Sequence, residues 1–168
     1  MATLRKAHAL LLSALFLVIA PGTLAGWIPW WISKWRLEPP LFGLYSLRIL
    51  GGLLIVAGIP VLLDSFARFA LQGLGTPAPI FPTRRLVVTG LYRCVRNPMY
   101  VAVLSVIAGQ GLLFGNARLL AYATLVWAGF HVFVLAYEEP TLRRTYGHEY
   151  DAYCNSVPRW IPRLRPRR

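Results

Sequence analysis

Two short motifs about 40 residues apart carry the residues best suited to chemistry: Arg96-Asn97-Pro98-Met99-Tyr100 and Glu138-Glu139. Asn is a favoured N-cap residue and Pro a favoured first helical residue, so the first motif predicts a helix that starts at Pro98. The free backbone N–H groups of that helix start, beside the guanidinium of Arg96, form a suitable anion site. The alternative is that Arg96 only anchors the helix at the lipid headgroups.

The second motif is an acid pair that directly follows an apolar segment. Carboxylates at a membrane boundary are costly unless they are paired or solvated, and a helix C-terminus disfavours negative charge. We therefore expect a cation near Glu138 and Glu139. Arg143 and Arg144 are near in sequence, Arg96 is near if the intervening helices form a hairpin, and a cationic ligand is the functional alternative. The plainer alternative is a solvated helix end with local salt bridges.

His131 precedes Glu138 by seven residues, nearly two helical turns, so both side chains are expected on one helix face. An ionisable residue inside an apolar span is a functional candidate by default, which makes His131 a candidate proton acceptor. The alternative is a neutral histidine that forms a hydrogen bond between helices.

The segment from Thr141 to Tyr153 is predicted to form an amphipathic helix. One face carries a row of apolar and aromatic residues at helical spacing: Leu142, Tyr146, Tyr150 and Tyr153. Such a helix lies on the membrane interface, covers a bound ligand as a lid, or does both.

The elements that must position these residues are strongly apolar. Of the 168 residues, 57% are hydrophobic and 14% are charged, whereas an ordinary soluble domain has about 25% charged residues. A spanning helix needs about 20 mostly apolar residues, and four stretches qualify: about 8–28, 45–69, 98–114 and 119–137. The predicted fold is an all-α integral membrane protein with about four transmembrane helices, a tight C-terminal helical hairpin and an interfacial amphipathic tail helix.

The chain is predicted to form a single membrane domain over residues 1–168. Two N-terminal spans occupy residues 8–69, and residues 70–168 supply a loop, the helical hairpin and a tail. The first stretch has an alternative, because Arg5, Lys6 and Thr23-Leu24-Ala25 are similar to a signal peptide with a cleavage site. The apolar character continues through Trp27 and beyond, which favours a span with an interfacial aromatic belt.

The charge is unevenly distributed along the chain. Lys and Arg number 18 against six acidic residues, a net charge of +12, and all but four fall in the N-terminus, the second loop and the tail. The excess of positive charge on cytoplasmic segments of membrane proteins therefore predicts that both termini are cytoplasmic. The expected partner of the basic residues is an anionic membrane surface, not nucleic acid. Cys94 and Cys154 form no metal-binding or C-x-x-C pattern, so no metal site is expected.

The combined motifs resemble the isoprenylcysteine carboxyl methyltransferase and phospholipid methyltransferase superfamily. The resemblance covers about residues 73–162 and is carried by Arg96-Asn97-Pro98-Met99-Tyr100, Glu138-Glu139, Gly75-Thr76-Pro77, Gly90-Leu91-Tyr92 and Val157-Pro158-Arg159. The commonest family form has His at the position of Asn97. The resemblance, to a bacterial member, implies a membrane enzyme that uses S-adenosylmethionine and acts on a lipid-like carboxylate or amine in the bacterial inner membrane.

The resemblance also implies roles for individual residues. The helix start with Arg96 suits the carboxylate of S-adenosylmethionine, and the acid pair suits its cationic groups. Aromatic rings suit the adenine or the sulfonium. The residues expected to bind the cofactor are Gly90, Leu91, Tyr92, Arg96, Asn97, Pro98, Tyr100, Glu138, Glu139 and Tyr146. The expected catalytic residues are Arg143, placed near the acceptor, and Glu139 and His131.

Asn97 is the one departure from the commonest motif. Its side chain has no acid or base function, so we expect it to cap the helix and to bind by hydrogen bonds. Two other functions stay open at this point. One is an NADPH-dependent, sterol-reductase-like membrane enzyme, with Arg84 and Arg85 at the 2′-phosphate. The other is a non-catalytic membrane protein that binds through its arginine-rich tail.

Overall fold

The computed structural model describes residues 15–68, 86 and 88–163, and all regular elements in this part of the chain are helical. The helices are α1, described from Leu15 and running over Leu15–Ser33, α2 (Tyr45–Arg68), α3 (Pro98–Phe114), α4 (Ala117–Tyr146) and α5 (His148–Ser156). Short 3₁₀ turns at Leu41–Gly43 and Gly90–Arg93 precede α2 and α3. The predicted all-α class is confirmed. Gly75-Thr76-Pro77, Arg84, Arg85 and the predicted start of the first span lie outside the described residues.

The helices have the length and composition of a membrane protein. α1, α2 and α4 are each long and apolar enough to cross a bilayer, and α3 is equally apolar but has 17 residues. Large apolar side chains such as Val18, Val56 and Leu125 stand exposed on the outside of the bundle. Hydrocarbon is the environment that suits such a surface, and helices suit it because they satisfy their own backbone hydrogen bonds.

Glycines bring α2 and α3 unusually close together. A Cβ added to Gly51 would lie 2.6 Å from the carbonyl oxygen of Gly109, and one added to Gly109 would lie 2.7 Å from the carbonyl oxygen of Gly51. Gly58 repeats the arrangement against Ala102 and Val106. Small residues at such positions let membrane helices gain close van der Waals contact. The short α3 is therefore held firmly against α2, with its other side packed on α4.

The predicted hairpin between the last two spans is confirmed. α3 ends at Phe114, Gly115 adopts φ +73°, and Asn116 caps α4 by accepting hydrogen bonds from the backbone N–H groups of Arg118 and Leu119 at 3.0 and 3.3 Å. Only glycine adopts this left-handed conformation without strain. Glu38 also binds the Nδ2 atom of Asn116 at 2.8 Å, which fastens the segment before α2 to this turn.

The tail departs from the predicted boundaries. The fourth span does not stop near residue 137 but continues as one helix to Tyr146, through a π-helical turn at Val134–Glu138. Pro140 lies two residues after the end of this turn, and because proline lacks the backbone N–H of a regular helix, a widened turn accommodates it. Gly147, with φ +53°, then separates α5 from α4. The predicted helix over 141–153 is therefore two helices that meet at a glycine.

Candidate cofactor and acceptor site

The two motifs predicted to share a site meet at the carboxylate of Glu139. The Nη1 atom of Arg96 lies 3.0 Å from its Oε1 atom, and Arg159 binds both oxygens, from Nε at 2.6 Å and from Nη2 at 3.1 Å. The side chain of Glu139 is only 7% exposed. Removing such a carboxylate from water is costly unless strong partners compensate, and the two guanidinium groups do so.

The cation beside the acid pair is thus Arg96, reached through the helical hairpin, together with Arg159 from the tail. Arg143, the other cation expected there, instead pairs with Asp151 at 3.1 Å on the surface, where both side chains are more than half exposed. Arg144 is also exposed. The expected role of Arg143 near an acceptor stays a prediction.

Arg96 has a second partner and one unpaired donor. Its Nη1 atom also lies 2.9 Å from the Sγ atom of Cys154, and its backbone N–H donates to the carbonyl of Pro158 at 2.9 Å. Its Nε atom is buried and has no hydrogen-bond partner within the described part of the chain. A buried donor left unpaired is unfavourable by about 1–3 kcal/mol.

Asn97 stands at the predicted N-cap position but does not cap α3 with its side chain. Its backbone conformation, φ −119° and ψ 54°, is not the extended one of a capping residue. The Nδ2 atom instead donates to the carbonyl oxygen of Arg159 at 3.2 Å. Asn97 therefore ties the tail to the start of α3, where Pro98 is the first helical residue and is fully buried.

Tyr100 and Glu138 also come together as the predicted site requires. The hydroxyl of Tyr100 donates to the Oε2 atom of Glu138 at 2.9 Å, and its ring packs on Phe130 with 4.5 Å between the ring centroids. The two carboxylates of the acid pair thus have different partners. Glu139 binds arginines, whereas Glu138 binds the hydroxyl of Tyr100 and forms no ion pair within the described part of the chain.

The Gly90-Leu91-Tyr92 turn lies between the end of α2 and α5. Gly90 has φ +58° and no side chain, and the guanidinium of Arg68 fills the space where a Cβ would be. Arg68 also binds Asp64 at 2.7 Å and contacts the hydroxyl of Thr89 at 3.4 Å. Arg68 therefore supports this turn, and the charges of Asp64 and Arg68 also neutralise each other.

Tyr92 is buried, and its carbonyl accepts a hydrogen bond from the hydroxyl of Tyr153 at 2.7 Å, whereas Leu91 is more exposed. Burial raises the pKa of the Tyr92 and Tyr153 phenols. Both therefore stay neutral at ordinary pH, and Tyr153 serves as a hydrogen-bond donor from α5 to the turn.

A cavity of about 60 Å³ lies among these groups, lined by Tyr92, Arg96, Asn97, Glu138, Glu139 and Tyr150 with some apolar neighbours. A more open cleft of about 310 Å³ lies beside it and shares Leu86 and Tyr153 as lining residues. The cavity alone is much smaller than a nucleoside. A ligand as large as a nucleoside must therefore extend from the cavity into the cleft. Tyr146 is half-buried at the end of α4.

His131 lies with the tail and not with the acid pair. Its Nδ1 atom accepts a hydrogen bond from the indole N–H of Trp160 at 3.2 Å, and its ring stacks on Trp127 with 5.3 Å between centroids. Its expected role as a catalytic proton acceptor stays a prediction.

The site residues that the motifs did not reveal are Arg159, Trp160 and Cys154. Arg159 belongs to the Val157-Pro158-Arg159 stretch that resembled the superfamily's tail, so its presence was visible, but its bond to Glu139 was not. Trp160 and Cys154 carry no recognisable spacing.

Residues 47–149 match the sequence model of the family described as phospholipid methyltransferase. The match covers more than half of the chain, which therefore belongs to this family. The resemblance inferred from the motifs is confirmed.

Several curated proteins resemble a shorter part of the chain. Protein-S-isoprenylcysteine O-methyltransferase B of Arabidopsis thaliana is 33% identical over 79 residues, which are 46% of this chain and 40% of that protein. The nickel-cobalt-cadmium resistance protein NccN of Alcaligenes xylosoxydans xylosoxydans is 34% identical over 79 residues, 47% of this chain and 37% of that protein. A probable protein-S-isoprenylcysteine O-methyltransferase of Oryza sativa subsp. indica is 32% identical over 78 residues, 46% of this chain and 41% of that protein. Each match thus spans about two fifths of the relative.

Proposed function

We propose that this protein is a membrane methyltransferase that uses S-adenosylmethionine to methylate a lipid-like carboxylate or amine. The observation that carries the proposal is the meeting of Arg96 and Glu139 beside Glu138 at one cavity. All three residues fall inside the region matched by the phospholipid methyltransferase family. The names of the plant relatives support the same activity.

The residues at the cavity fit the chemical groups of S-adenosylmethionine. The guanidinium of Arg96, which lines the cavity, suits its carboxylate, and the carboxylate of Glu138 suits its ammonium or sulfonium. The ring of Tyr92 and the open cleft beside the cavity suit its adenosine part. When bound, S-adenosylmethionine would supply a methyl group on a positively charged sulfur; the acceptor would form a bond to the methyl carbon while the carbon–sulfur bond breaks, and S-adenosylhomocysteine would leave with that electron pair.

The main contribution of the protein is to hold the two reactants in line and to exclude water. Fixed orientation of this kind supplies up to about 7–11 kcal/mol of a reaction barrier. Arg96 and Glu139 are suited to this work because each is held in place by a second partner, Cys154 and Arg159 respectively. The π-helical turn places Glu138 and Glu139 at the start of the polar end of α4.

The proposed setting is a multi-pass protein of the bacterial inner membrane with both termini in the cytoplasm. The described basic residues of the site and tail, such as Arg96, Arg159 and Arg163, lie at one end of the bundle. Arg48 and Arg118 lie at the other, beside the α3–α4 turn. This separation supports the orientation expected from the excess of positive charge on cytoplasmic segments. A water-soluble cofactor then enters from the cytoplasm and the acceptor from the bilayer.

Calorimetric titration of S-adenosylmethionine into the detergent-purified protein tests the proposal. We expect saturable binding by the wild type and binding weakened about 10- to 150-fold in Arg96→Ala, since hydrogen bonds to charged groups contribute about 1.5–3 kcal/mol. Glu139→Gln should weaken binding as well, because the Arg96 side chain loses its anchor. Arg118→Ala is the matched control, since Arg118 is exposed at the opposite end of the bundle.

The outcome that contradicts the proposal is a folded wild-type protein that does not bind S-adenosylmethionine. NADPH is titrated in parallel, because binding of NADPH alone would favour the reductase-like alternative. Incorporation of labelled methyl groups into extracted membrane lipids then tests transfer itself.

A further inference from the structure

A row of side chains leads from the cavity to the outer surface of α4. Tyr100 binds Glu138 at one end, and its ring lies 6.5 Å from the ring of Trp160. Trp160 binds His131, and His131 stacks on Trp127. Trp127 is 43% exposed on the outside of the bundle. These residues connect the candidate cofactor site with the surface that faces the membrane.

The bond from Trp160 determines which nitrogen of His131 carries the proton. An indole N–H is a donor and never an acceptor, so the Nδ1 atom of His131 must be the acceptor and carries no proton. The imidazole is then neutral, with its proton on Nε2. Within the described part of the chain Nε2 forms no hydrogen bond, and it is not among the buried unpaired atoms. Nε2 is therefore not fully buried, and the ring of His131 lies beside the partly exposed ring of Trp127.

An N–H donor without a partner is unfavourable beside hydrocarbon, where no water is present to accept its hydrogen bond. An oxygen atom in the headgroup of a lipid-like molecule is a suitable partner for this N–H group. We propose that His131 binds the oxygen-bearing headgroup of the acceptor through its Nε2–H group, and that Trp160 is a positioning residue that fixes this tautomer. The inference rests on the proposed methyl transfer to a lipid-like acceptor, and it makes His131 a hydrogen-bond donor and not the proton acceptor expected from its place in the span.

The proposal separates two classes of acceptor. A carboxylate, ester or other carbonyl oxygen accepts the Nε2–H bond, whereas an ammonium headgroup has donors only. Trp127 stacks on the ring of His131 and Trp160 bonds the edge of that ring, so the two together restrict its rotation and the donor keeps one direction. Trp160 and Tyr100 then lie between the bound headgroup and Glu138.

The first test is nitrogen NMR of the full chain labelled with ¹⁵N-histidine in detergent, with His131→Asn used to assign the His131 signals. We expect the protonated nitrogen to be Nε2. Oleate, the probe with oxygen acceptors, should shift the Nε2 resonance, whereas oleylamine, the matched probe with an ammonium headgroup, should not. A proton on Nδ1, no shift with oleate, or equal shifts with both probes would overturn the proposal.

Two matched substitutions separate the nitrogens of His131. Gln places an amide N–H near the position of Nε2, whereas Asn places its amide oxygen near Nδ1, where it still accepts from Trp160 but leaves no group at Nε2. Loss of one neutral hydrogen bond should raise the acceptor KM of His131→Asn by about 2- to 12-fold, with kcat and cofactor affinity retained. The acceptor KM of His131→Gln should stay near that of the wild type. Trp160→Phe should raise acceptor KM and yield both tautomers, whereas Trp31→Phe, in α1, should change neither.

These measurements separate the failure of this inference from the failure of the proposed function. Equal acceptor KM values for His131→Asn and His131→Gln would contradict the role of Nε2 even if methyl transfer is observed. If the wild type binds no S-adenosylmethionine and transfers no methyl group, the proposed function fails, and a selective oleate shift at Nε2 would still support His131 as a headgroup-binding residue.

Discussion

Substitution of Glu139 by Gln is the sharpest perturbation of the site, because it removes a charge and retains the shape. The side chain of Glu139 is 7% exposed, and those of its partners Arg96 and Arg159 are 12% and 31% exposed. Breaking a buried ion pair is unfavourable by about 3–5 kcal/mol, since the remaining charge has no partner. Arg159 is partly solvated, so we expect the lower end of that range, about 3 kcal/mol. Unfolding temperatures for chains of this size fall by about 2–4 °C per kcal/mol, which gives a decrease of about 6–12 °C.

Thermal unfolding in detergent, followed by circular dichroism, measures this decrease. Asp151→Asn is the matched control, because it removes an acid from the exposed pair with Arg143 and should leave the unfolding temperature unchanged. Adding Arg159→Gln to Glu139→Gln should recover part of the loss, since one of the unpaired charges is then gone. Equal unfolding temperatures for Glu139→Gln and Asp151→Asn would refute the view that Glu139 is the buried centre of the site.

Three further predictions concern packing, backbone and pH. Gly51→Ala should destabilise the protein by about 1–3 kcal/mol because the new methyl group meets α3, whereas the adjacent Gly52→Ala, with open space around its Cβ, should not; equal unfolding temperatures would contradict the close packing. Gly147→Ala meets no neighbour but keeps φ +53°, so a loss of about 1–3 kcal/mol in unfolding experiments is expected from backbone strain alone, and no loss would show that the turn relaxes. Burial raises the pKa of Tyr153 above its ordinary value of 10.0, so its contribution to stability is complete below pH 10 and is lost as the pH rises further. Unfolding temperatures between pH 9 and 11 should therefore fall less in Tyr153→Phe than in the wild type, and identical slopes would contradict this role.

The helices and the hairpin were predictable because their signals are local. These signals are the apolar runs of spanning length, Pro98 at a helix start and Gly115-Asn116 between two runs. Each of them determines the structure of the residues next to it. The meeting of Arg96 with the acid pair followed from the same hairpin, since it brings the start of α3 beside the end of α4.

The contacts of the tail were not predictable in this way. Asn97 was expected to cap α3, yet its side chain binds the carbonyl of Arg159, 62 residues later. The bond from Trp160 to His131 and the facing of Gly51 with Gly109 also depend on how complete helices pack. Such contacts are set by tertiary geometry, which the pattern of neighbouring residues does not contain. Pro140 is a local signal for a helix break. The widened turn that lets α4 continue past Pro140 depends on the surrounding helix.

The shortness of α3 has a consequence for the bilayer itself. At 1.5 Å per residue its 17 residues span about 26 Å, less than the roughly 30 Å of a typical hydrocarbon core. A short span is accommodated when the surrounding lipid thins, so the protein should create a local depression in the leaflet where α3 begins. The polar groups at that end of α3 then lie deeper than the headgroups of distant lipids. A lipid in the depression brings its headgroup to the level of the cavity without leaving the membrane, and thicker bilayers should slow its arrival.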